Sequence, residues 1–351
     1  MTPEAVAAAL IAGKTPEISD MVAYWLATDA AARPKAETVA VLAALSAAPA
    51  QDSRVEAFVR YVDESYEQTW LSCAAEAVNI VGTGGGASTF NISTTASFVA
   101  AAAGAKVLKS GSSAYSGAVG SADILSALGL GRAMPMPVLD AMLSETGIAF
   151  APASAYAPIC RRLAIAAQPL PFKVIGRFVN GLGPLICPFA VKASVVGTAT
   201  PEAFGLIRRV AARTGRHLLA VHSELGVDEL LSIGGNRLAW SDAAADANAG
   251  DTFDPASIGF APGPLVLLQG GTLEQNLAML QDVLRGTAPR AALETVALNA
   301  GAVLYAAGLA VDLAAGALRA LDCLNSGAAL AKLREAQRFA QSVRRSLEAA
   351  E

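Results

Sequence analysis

The residues best suited to chemistry lie in one short stretch. A run of strand type at residues 78–81 leads into the turn Gly82-Thr83-Gly84-Gly85-Gly86, and then into Asn91, Ser93 and Thr94 ahead of an apolar helical run. Glycines let a ligand approach the backbone closely, and a helix N-terminus offers free N–H groups and a positive dipole end. The stretch therefore predicts a phosphate site, and the alternative is a tight turn with a Ser or Thr cap. It matches neither the Walker pattern nor G-x-G-x-x-G.

A second candidate is Lys109, where another predicted strand ends. The chain then enters a loop rich in serine and glycine that contains Gly111, Ser112, Ser113 and Tyr115. A lysine at this point is placed to meet a phosphate, because parallel strands bring their carboxyl ends to the same edge of a sheet. The alternative is a surface loop with an exposed lysine.

The third candidate is the adjacent carboxylate pair Asp228 and Glu229, which follows a predicted strand ending at His222. Hard oxygen ligands of this kind suit Mg²⁺, especially Mg²⁺ that arrives on a phosphate ligand. The alternative is a solvated turn. His217 and His222 are the only histidines in the sequence, which excludes a site built from several histidines.

Composition narrows the class of protein. The net charge of −4 argues against a nucleic-acid surface, which needs a basic stripe. No stretch reaches the roughly 18 uninterrupted apolar residues of a membrane span, and the N-terminus has no signal-peptide pattern. The four cysteines have no metal-binding spacing, and in a chain of this size they are typical of reduced thiols in the cytoplasm.

The first part of the chain predicts a small helical domain, residues 1–70, that could carry a subunit interface. Thr2-Pro3-Glu4 and Thr15-Pro16-Glu17 each combine a capping threonine, a proline at the first helical position and an acid in the first turn. Two more helices are predicted at 36–45 and 55–66. Trp25 is predicted to lie in the core of this domain.

Residues 71–351 predict an α/β domain with a mostly parallel central sheet, because short β runs alternate with helices from residue 78 onward. The chain is expected to be helical from residue 272 to its end, and residues 243–255, which are polar and rich in Asp, are expected to form a surface loop. The predicted strands are 78–81, 105–109, 147–151, 218–222 and 265–268. The predicted helices between them are 93–103, 121–128, 137–146, 158–167 and 201–214.

Taken together, the motifs resemble those of the anthranilate phosphoribosyltransferase family over nearly the whole chain. The resemblance implies a helical N-terminal domain, an α/β domain of the nucleoside phosphorylase and phosphoribosyltransferase type, a homodimer, and phosphoribosyl pyrophosphate used with Mg²⁺. The matching pieces include Gly82-Thr-Gly-Gly, Thr89-Phe-Asn-Ile-Ser-Thr94, Lys109-x-Gly111, Gly120-Ser-Ala-Asp123, Asn180-x-Leu-Gly-Pro-Leu185, Asp228-Glu-Leu230, Gly270-Gly271, Asn276 and Leu298-Asn-Ala300.

The resemblance also implies residue roles. The pyrophosphate-binding turn corresponds to the glycines of the 82–85 turn, the phosphate and metal contacts at the helix start correspond to Asn91, Ser93 and Thr94, and the family's loop lysine corresponds to Lys109. The predicted substrate-binding set is Gly82, Thr83, Gly84, Gly85, Asn91, Ser93, Thr94, Lys109, Gly111, Ser112, Ser113 and Tyr115. The predicted Mg²⁺ ligands are Ser93, Asp228 and Glu229. No residue is assigned a covalent catalytic role.

Departures from the family pattern gather on the acceptor side. The family turn Gly-Thr-Gly-Gly-Asp-Gly lacks its Asp here, where Gly86 stands, and the family loop Lys-His-Gly-Asn-Arg reads Lys109-Ser-Gly-Ser-Ser113. The resemblance implies that the family's anthranilate-anchoring arginine corresponds to the positions of Ala166, Ala167 and Gln168 here. The role of that arginine could be taken by Arg161, Arg162, Lys173 or Arg177.

The leading hypothesis is therefore an Mg²⁺-dependent enzyme that transfers phosphoribose to anthranilate or to another small aromatic amine. A neutral pocket of Ser112, Ser113, Ala114 and Tyr115 would suit an uncharged aromatic, with Tyr115 as a stacking face. One alternative is a non-catalytic paralogue that binds a phosphate-bearing ligand or partner, and another is an enzyme similar to the nucleoside phosphorylases.

Overall fold

The computed structural model describes residues 1–110, 119–131, 134–242 and 251–348. The chain begins with four helices, as predicted: α1 (Pro3–Ile11), α2 (Ile18–Asp29), α3 (Lys35–Ala47) and α4 (Asp52–Ser65). The Thr2 hydroxyl caps α1 by accepting the Ala5 N–H at 3.3 Å. No helix in the described ranges is long and apolar enough to cross a membrane.

The second predicted threonine cap is wrong. Helix α2 begins at Ile18, and Glu17 occupies its N-cap position without a side-chain hydrogen bond. The Thr15 hydroxyl instead accepts a hydrogen bond from Arg54 Nε at 2.9 Å. The local pattern predicted that this hydroxyl caps the helix, but it binds a residue that is distant in sequence.

A seven-stranded sheet follows, in the order β3-β2-β1-β4-β5-β6-β7. Strands β1 to β5 pair in parallel, whereas β6 and β7 add antiparallel at one edge. The predicted mostly parallel sheet is thus confirmed. The strands are β1 (Ala77–Gly82), β2 (Lys106–Lys109), β3 (Ile148–Phe150), β4 (Ala193–Thr198), β5 (Leu218–Ser223), β6 (Asn236–Trp240) and β7 (Asp251–Phe253).

Helices cover both faces of this sheet, and all the predicted ones are present with small shifts at their ends. They are α5 (Ile92–Ala102), α6 (Ser121–Ala127), α7 (Met136–Thr146), α8 (Pro158–Ala167), α9 (Phe172–Ile175), α10 (Arg177–Gly181), α11 (Pro201–Arg213), α12 (Leu273–Arg285), α13 (Arg290–Ala306), α14 (Leu313–Asn325) and α15 (Ala328–Glu348).

One predicted strand and one predicted loop are corrected. Leu265–Leu268 forms a 3₁₀ helix rather than a strand, and it begins after Pro264. A run of four apolar residues carries no period that separates strand from helix. Within the predicted loop at 243–255, Asp251–Phe253 pairs with β6 as an edge strand, and residues 243–250 lie outside the described ranges.

Sequence patterns also missed the central strand β4. All six of its residues are buried, and four of them are Ala, Ser, Gly and Thr. A strand that is buried on both faces has no alternation of polar and apolar residues, so periodicity could not reveal it.

Trp25 is only 1% exposed, which confirms its prediction as a core residue. Its ring meets Phe58 of α4 edge-on at 4.9 Å between centroids and stacks on Phe178 of α10 at 6.5 Å. The core of the N-terminal helices thus continues into α8, α10 and α11. This shared core fixes the N-terminal helices against α8, α10 and α11.

An ion pair also joins α4 to α11, and its contribution to the free energy of unfolding should depend on pH. Arg209 donates to both oxygens of Asp52 at 2.6 and 2.8 Å, and this guanidinium holds the pKa of Asp52 below its usual range. We expect Asp52→Asn to lower the free energy of unfolding by about 1 kcal/mol at pH 7. Because the folded pKa is depressed, the loss should shrink as pH falls below about 4 and vanish only below the folded pKa.

Urea unfolding of wild type and variant at pH 7 and at pH 3.5 measures this difference. The control is Asp282→Asn, which removes an exposed pair with Arg285 on a single helix and should cost about 0.5 kcal/mol or less. A deficit in Asp52→Asn that grows towards acid pH would contradict the assignment.

Candidate functional site

The candidate site lies where the parallel strands end. Strand β1 ends at Gly82, β2 ends at Lys109, and the chain leaving β5 reaches Asp228 after a short turn. A polar cavity of about 170 Å³ opens at this edge and is lined by the glycine turn, the start of α5, Lys109, Asp228 and Glu229. The sheet topology thus brings together the three groups of residues that the sequence singled out.

The glycine turn depends on its missing side chains. Gly84, Gly85 and Gly86 have φ of +76°, +103° and +79°, a region that favours glycine. The Gly84 N–H donates to Asp228 Oδ2 at 2.8 Å, and a Cβ on Gly82 would lie 2.1 Å from the same oxygen. The turn therefore packs directly against the Asp228 carboxylate.

Thr83 has a different role from its glycine neighbours. Both its N–H and its hydroxyl donate to the Gly197 carbonyl of β4, at 2.9 and 3.1 Å. The Thr83 side chain thus anchors the turn to the sheet, although the residue lines the cavity.

Gly86 stands where the resembling family has an Asp, and its surroundings explain the exchange. Gly86 pairs with Val227 in an isolated antiparallel bridge, and a Cβ at this position would lie 2.1 Å from the Gly226 carbonyl oxygen. Together with its positive φ, this contact leaves no room for an Asp in the present backbone.

The start of α5 presents polar atoms to the cavity. Asn91 occupies the N-cap position, yet its side chain makes no capping hydrogen bond. Asn91 Oδ1 and Thr94 Oγ1 are buried and have no hydrogen-bond partner within the described residues. Buried polar atoms are nearly always satisfied, so these two atoms point to a polar ligand in the cavity.

Lys109 is buried, with only 4% of its surface exposed, which excludes an exposed loop lysine. Its ammonium donates to the Ile80 carbonyl at 3.1 Å and to Ser93 Oγ at 3.2 Å. Burial lowers the pKa of Lys109 to about 8, although the charges of Glu229 and Asp228 act in the opposite direction. The lysine is therefore still protonated at neutral pH and adds positive charge to the cavity.

Asp228 and Glu229 are half-buried, which excludes a fully solvated turn. Burial raises the pKa of both carboxyls, and the Asp228 charge raises that of Glu229 further. Glu229 Oε2 accepts a hydrogen bond from the Thr89 hydroxyl at 3.2 Å, a contact that the sequence analysis did not assign. Thr89 stood in the quoted Thr-Phe-Asn motif, so the signal was present.

The donors fit a hard divalent cation. Two carboxylates face one cavity, beside the Ser93 hydroxyl. Groups of three or more His, Cys, Asp or Glu that could enclose a metal are absent among the residues described. Such a set suits Mg²⁺ held partly by a phosphate ligand rather than by a complete protein cage.

The predicted acceptor contacts Gly111, Ser112, Ser113 and Tyr115 lie in the segment 111–118, outside the described residues. Ser110, which precedes them, is buried and donates from its N–H and its hydroxyl to Asn79 Oδ1, each at 2.9 Å. This contact fixes the chain immediately after β2.

A second and larger cavity, of about 790 Å³, adjoins the first at Thr83 and Gly84. Its wall is mostly apolar and combines α3, α10 and α11, and its charged residues are Lys173, Arg177 and the acidic Glu202. Of the four cations proposed for the acceptor, Arg161 and Arg162 line neither cavity, and Arg162 is paired with Asp29. The structure therefore selects Lys173 and Arg177 as the cations that face an apolar space next to the glycine turn.

Comparisons with known proteins agree with this geometry. Residues 74–330 match the family model described as the glycosyl transferase family, a/b domain. The anthranilate phosphoribosyltransferase of Synechococcus sp. (strain CC9902) is 38% identical over 263 residues, which are 74% of each protein. The crystal structure of the enzyme of the same name from Thermus thermophilus has a TM-score of 0.82 at 30% identity, covering 96% of this chain and 99% of that one.

A more distant structure shares the fold. The anthranilate phosphoribosyltransferase from Saccharomyces cerevisiae, solved in complex with phosphoribosyl pyrophosphate (PRPP) and Mg, has a TM-score of 0.80 at 20% identity. The match covers 97% of this chain and 98% of the yeast chain. The architecture therefore extends over nearly the whole chain, beyond residues 74–330.

Proposed function

Because this chain belongs to the anthranilate phosphoribosyltransferase family, we propose that it transfers the phosphoribosyl group of phosphoribosyl pyrophosphate to the amine of anthranilate, with Mg²⁺. The observation that carries the proposal is the pair of cavities that meet at Thr83 and Gly84. One cavity is polar and holds a buried lysine and two carboxylates. The other is apolar and carries cations suited to an aromatic carboxylate.

The reaction breaks the bond between ribose C1 and the pyrophosphate oxygen and forms a bond from the amine nitrogen to C1, after which the amine loses a proton. Glycosyl transfer of this type passes through a state with positive charge on the ribose and growing negative charge on the leaving group. The Lys109 ammonium and the N-terminus of α5 would stabilise that negative charge.

The cation has a defined set of candidate ligands. Asp228, Glu229 and Ser93 would hold it, the Thr94 hydroxyl would donate a hydrogen bond to a phosphate oxygen, and Asn91 Oδ1 would accept one from a ribose hydroxyl. When bound, Mg²⁺ supplies charge neutralisation at the pyrophosphate. The protein itself contributes positioning, because the two cavities hold donor and acceptor side by side.

Pyrophosphate release, measured with phosphoribosyl pyrophosphate, Mg²⁺ and a panel of aromatic amines that includes anthranilate, tests the proposal. Release that depends on anthranilate is the expected result. Release with another small aromatic amine but not with anthranilate would assign that amine as the acceptor. No release with any amine would contradict the transfer activity.

Arg177 is proposed as an anchor for the anthranilate carboxylate, with Lys173 beside it. A charge-assisted hydrogen bond contributes about 1.5–3 kcal/mol. We therefore expect Arg177→Ala to raise KM for anthranilate about 10–100-fold and to leave KM for phosphoribosyl pyrophosphate nearly unchanged. Steady-state kinetics with each substrate varied in turn measure the two constants.

The matched control for this prediction is Arg162→Ala, because Arg162 is bound to Asp29 and does not line the second cavity. Its KM for anthranilate should stay close to that of wild type. Equal increases in both variants would argue against a specific carboxylate contact.

A second candidate function is favoured by Gly86, which replaces the family Asp in a space that excludes a side chain. In this alternative the chain binds a phosphate-bearing ligand without turnover. Calorimetry with phosphoribosyl pyrophosphate and Mg²⁺ separates the two. Binding without pyrophosphate release in any assay would favour the alternative.

We also propose a homodimer formed through the helical domain of residues 1–70, which precedes the α/β domain of residues 71–351. Exposed apolar side chains on the N-terminal helices and on α8 support this, namely Ile11, Leu26 and Ile165. Sedimentation equilibrium should give twice the mass of one chain, and a monomer at micromolar concentration would oppose the proposal.

The four free cysteines support a location in the cytoplasm.

A further inference from the structure

The turn that carries the two carboxylates is held from behind by buried side-chain amides. Residues 228–232 belong to neither a helix nor a strand. Asn299 of α13, which is 2% exposed, accepts the Leu230 N–H at 3.2 Å and donates to the Leu230 carbonyl at 2.7 Å. Its Nδ2 group also donates to the Thr295 carbonyl at 2.8 Å, which fixes the amide plane to the helix.

Asn236 of β6 repeats this arrangement one residue later. Its side chain, in a residue 1% exposed, accepts the Leu231 N–H at 2.8 Å and donates to the Leu231 carbonyl at 2.9 Å. The next N–H, from Ser232, donates to Thr295 Oγ1 at 3.1 Å. Three successive residues after Glu229 are thus fixed by side chains of α13 and β6, which replace the backbone ladder that a strand or helix would supply.

The opposite side of the turn is confined as well. A Cβ on Gly197 of β4 would lie 1.7 Å from the Asp228 carbonyl oxygen, and one on Gly82 would lie 2.1 Å from Asp228 Oδ2. The turn therefore has no room to move towards the sheet, and the two amides prevent it from moving away. Neither Asn299 nor Asn236 lines the polar cavity, so both act through the backbone.

We propose that Asn299, together with Asn236, is a positioning residue that fixes Asp228 and Glu229 in the geometry needed to bind the divalent cation. This inference rests on the proposed function, because it takes the carboxylates to be cation ligands. Two adjacent carboxylates repel each other, so a free turn would separate them, and a rigid backbone holds both towards one cavity. Loss of such outer contacts typically weakens metal binding 10–100-fold.

The test measures binding of Mn²⁺, a spectroscopic substitute for Mg²⁺, in the presence of phosphoribosyl pyrophosphate by electron paramagnetic resonance. Asn299→Leu keeps the size and removes every hydrogen bond, and we expect its Mn²⁺ dissociation constant to rise about 10–100-fold. At saturating Mg²⁺ its kcat should recover most of the wild-type value, since the ligands themselves are intact. Asn299→Asp, which keeps one acceptor and loses both donor contacts, serves as a second variant in case Asn299→Leu does not fold.

The control is Thr146→Val, which removes a comparably buried hydroxyl with several backbone hydrogen bonds at the end of α7. It should lower the melting temperature to a similar extent and leave Mn²⁺ binding unchanged. Asn299 variants that bind Mn²⁺ as tightly as the wild-type protein would overturn the positioning role alone. Absence of Mn²⁺ binding by the wild-type chain would overturn the proposed function and the inference with it.

Discussion

Replacing Asp228 with Asn should reduce kcat/KM for phosphoribosyl pyrophosphate about 10²–10³-fold while leaving the fold intact. Asn keeps the size of the side chain and one oxygen that can accept the Gly84 N–H, which lies 2.8 Å from Asp228 Oδ2. What disappears is the negative charge that faces the cavity beside Glu229. The loss should therefore appear as a higher Mg²⁺ concentration for half-maximal turnover, with little change in melting temperature.

Pyrophosphate release at varied Mg²⁺ and saturating anthranilate measures this effect. Asp312→Asn is the matched control, since Asp312 also accepts a single backbone N–H, that of Ala315 at 2.7 Å, at the start of α14. Asn is as good a cap as Asp, so this variant should behave as wild type. Unchanged turnover in Asp228→Asn would refute the assignment of Asp228 as a cation ligand.

Replacing Gly197 with Ala should lower the free energy of unfolding by about 3 kcal/mol, at the upper end of what overpacking usually costs. Gly197 lies in β4, between Gly82 of β1 and Val221 of β5. Its added Cβ would meet the Asp228 carbonyl oxygen at 1.7 Å and the carbonyl carbon at 2.7 Å. Because backbone cannot rotate away as a side chain can, either the central strand or the carboxylate turn has to shift.

Urea unfolding compares this variant with two others. Gly183→Ala has no neighbour within 4 Å of the new Cβ and should change stability by less than about 1 kcal/mol. Gly82→Ala meets the end of the Asp228 side chain, so it should cost less stability than Gly197→Ala and still impair Mg²⁺-dependent turnover. A stable Gly197→Ala protein with wild-type melting behaviour would show that the close contact does not constrain the sheet.

Local patterns in the sequence were sufficient for the elements with strong short-range signals. The cap at Thr2, the helices with apolar stripes and the strand before Gly82 all formed as expected, because caps, stripes and turns depend on residues within a few positions of each other. The predictions failed where long-range packing decided the outcome. Thr15 accepts a hydrogen bond from Arg54, which is distant in sequence, and residues 265–268 form a 3₁₀ helix.

The candidate site likewise combines motifs that the local sequence predicts with an arrangement that depends on the fold. The sequence supplied Gly84, Lys109 and Asp228 as separate motifs, each with a plain structural alternative. The parallel order of β2, β1, β4 and β5 brought them to one edge, and the contact from Gly84 to Asp228 joins residues far apart in the chain. Pattern alone could not distinguish an exposed lysine from the buried Lys109, since burial depends on neighbours distant in sequence.

The sequence by itself determined the family, the helical and α/β parts, and the residue types suited to pyrophosphate and Mg²⁺, because glycines, hydroxyls and carboxylates at short spacings carry their chemistry locally. Only the tertiary structure decided three further features: the strand β4 that supports the site, the exclusion of a side chain at Gly86, and the apolar cavity that brings Arg177 near the glycine turn. Each depends on contacts between segments that close packing brings together and that no local pattern encodes.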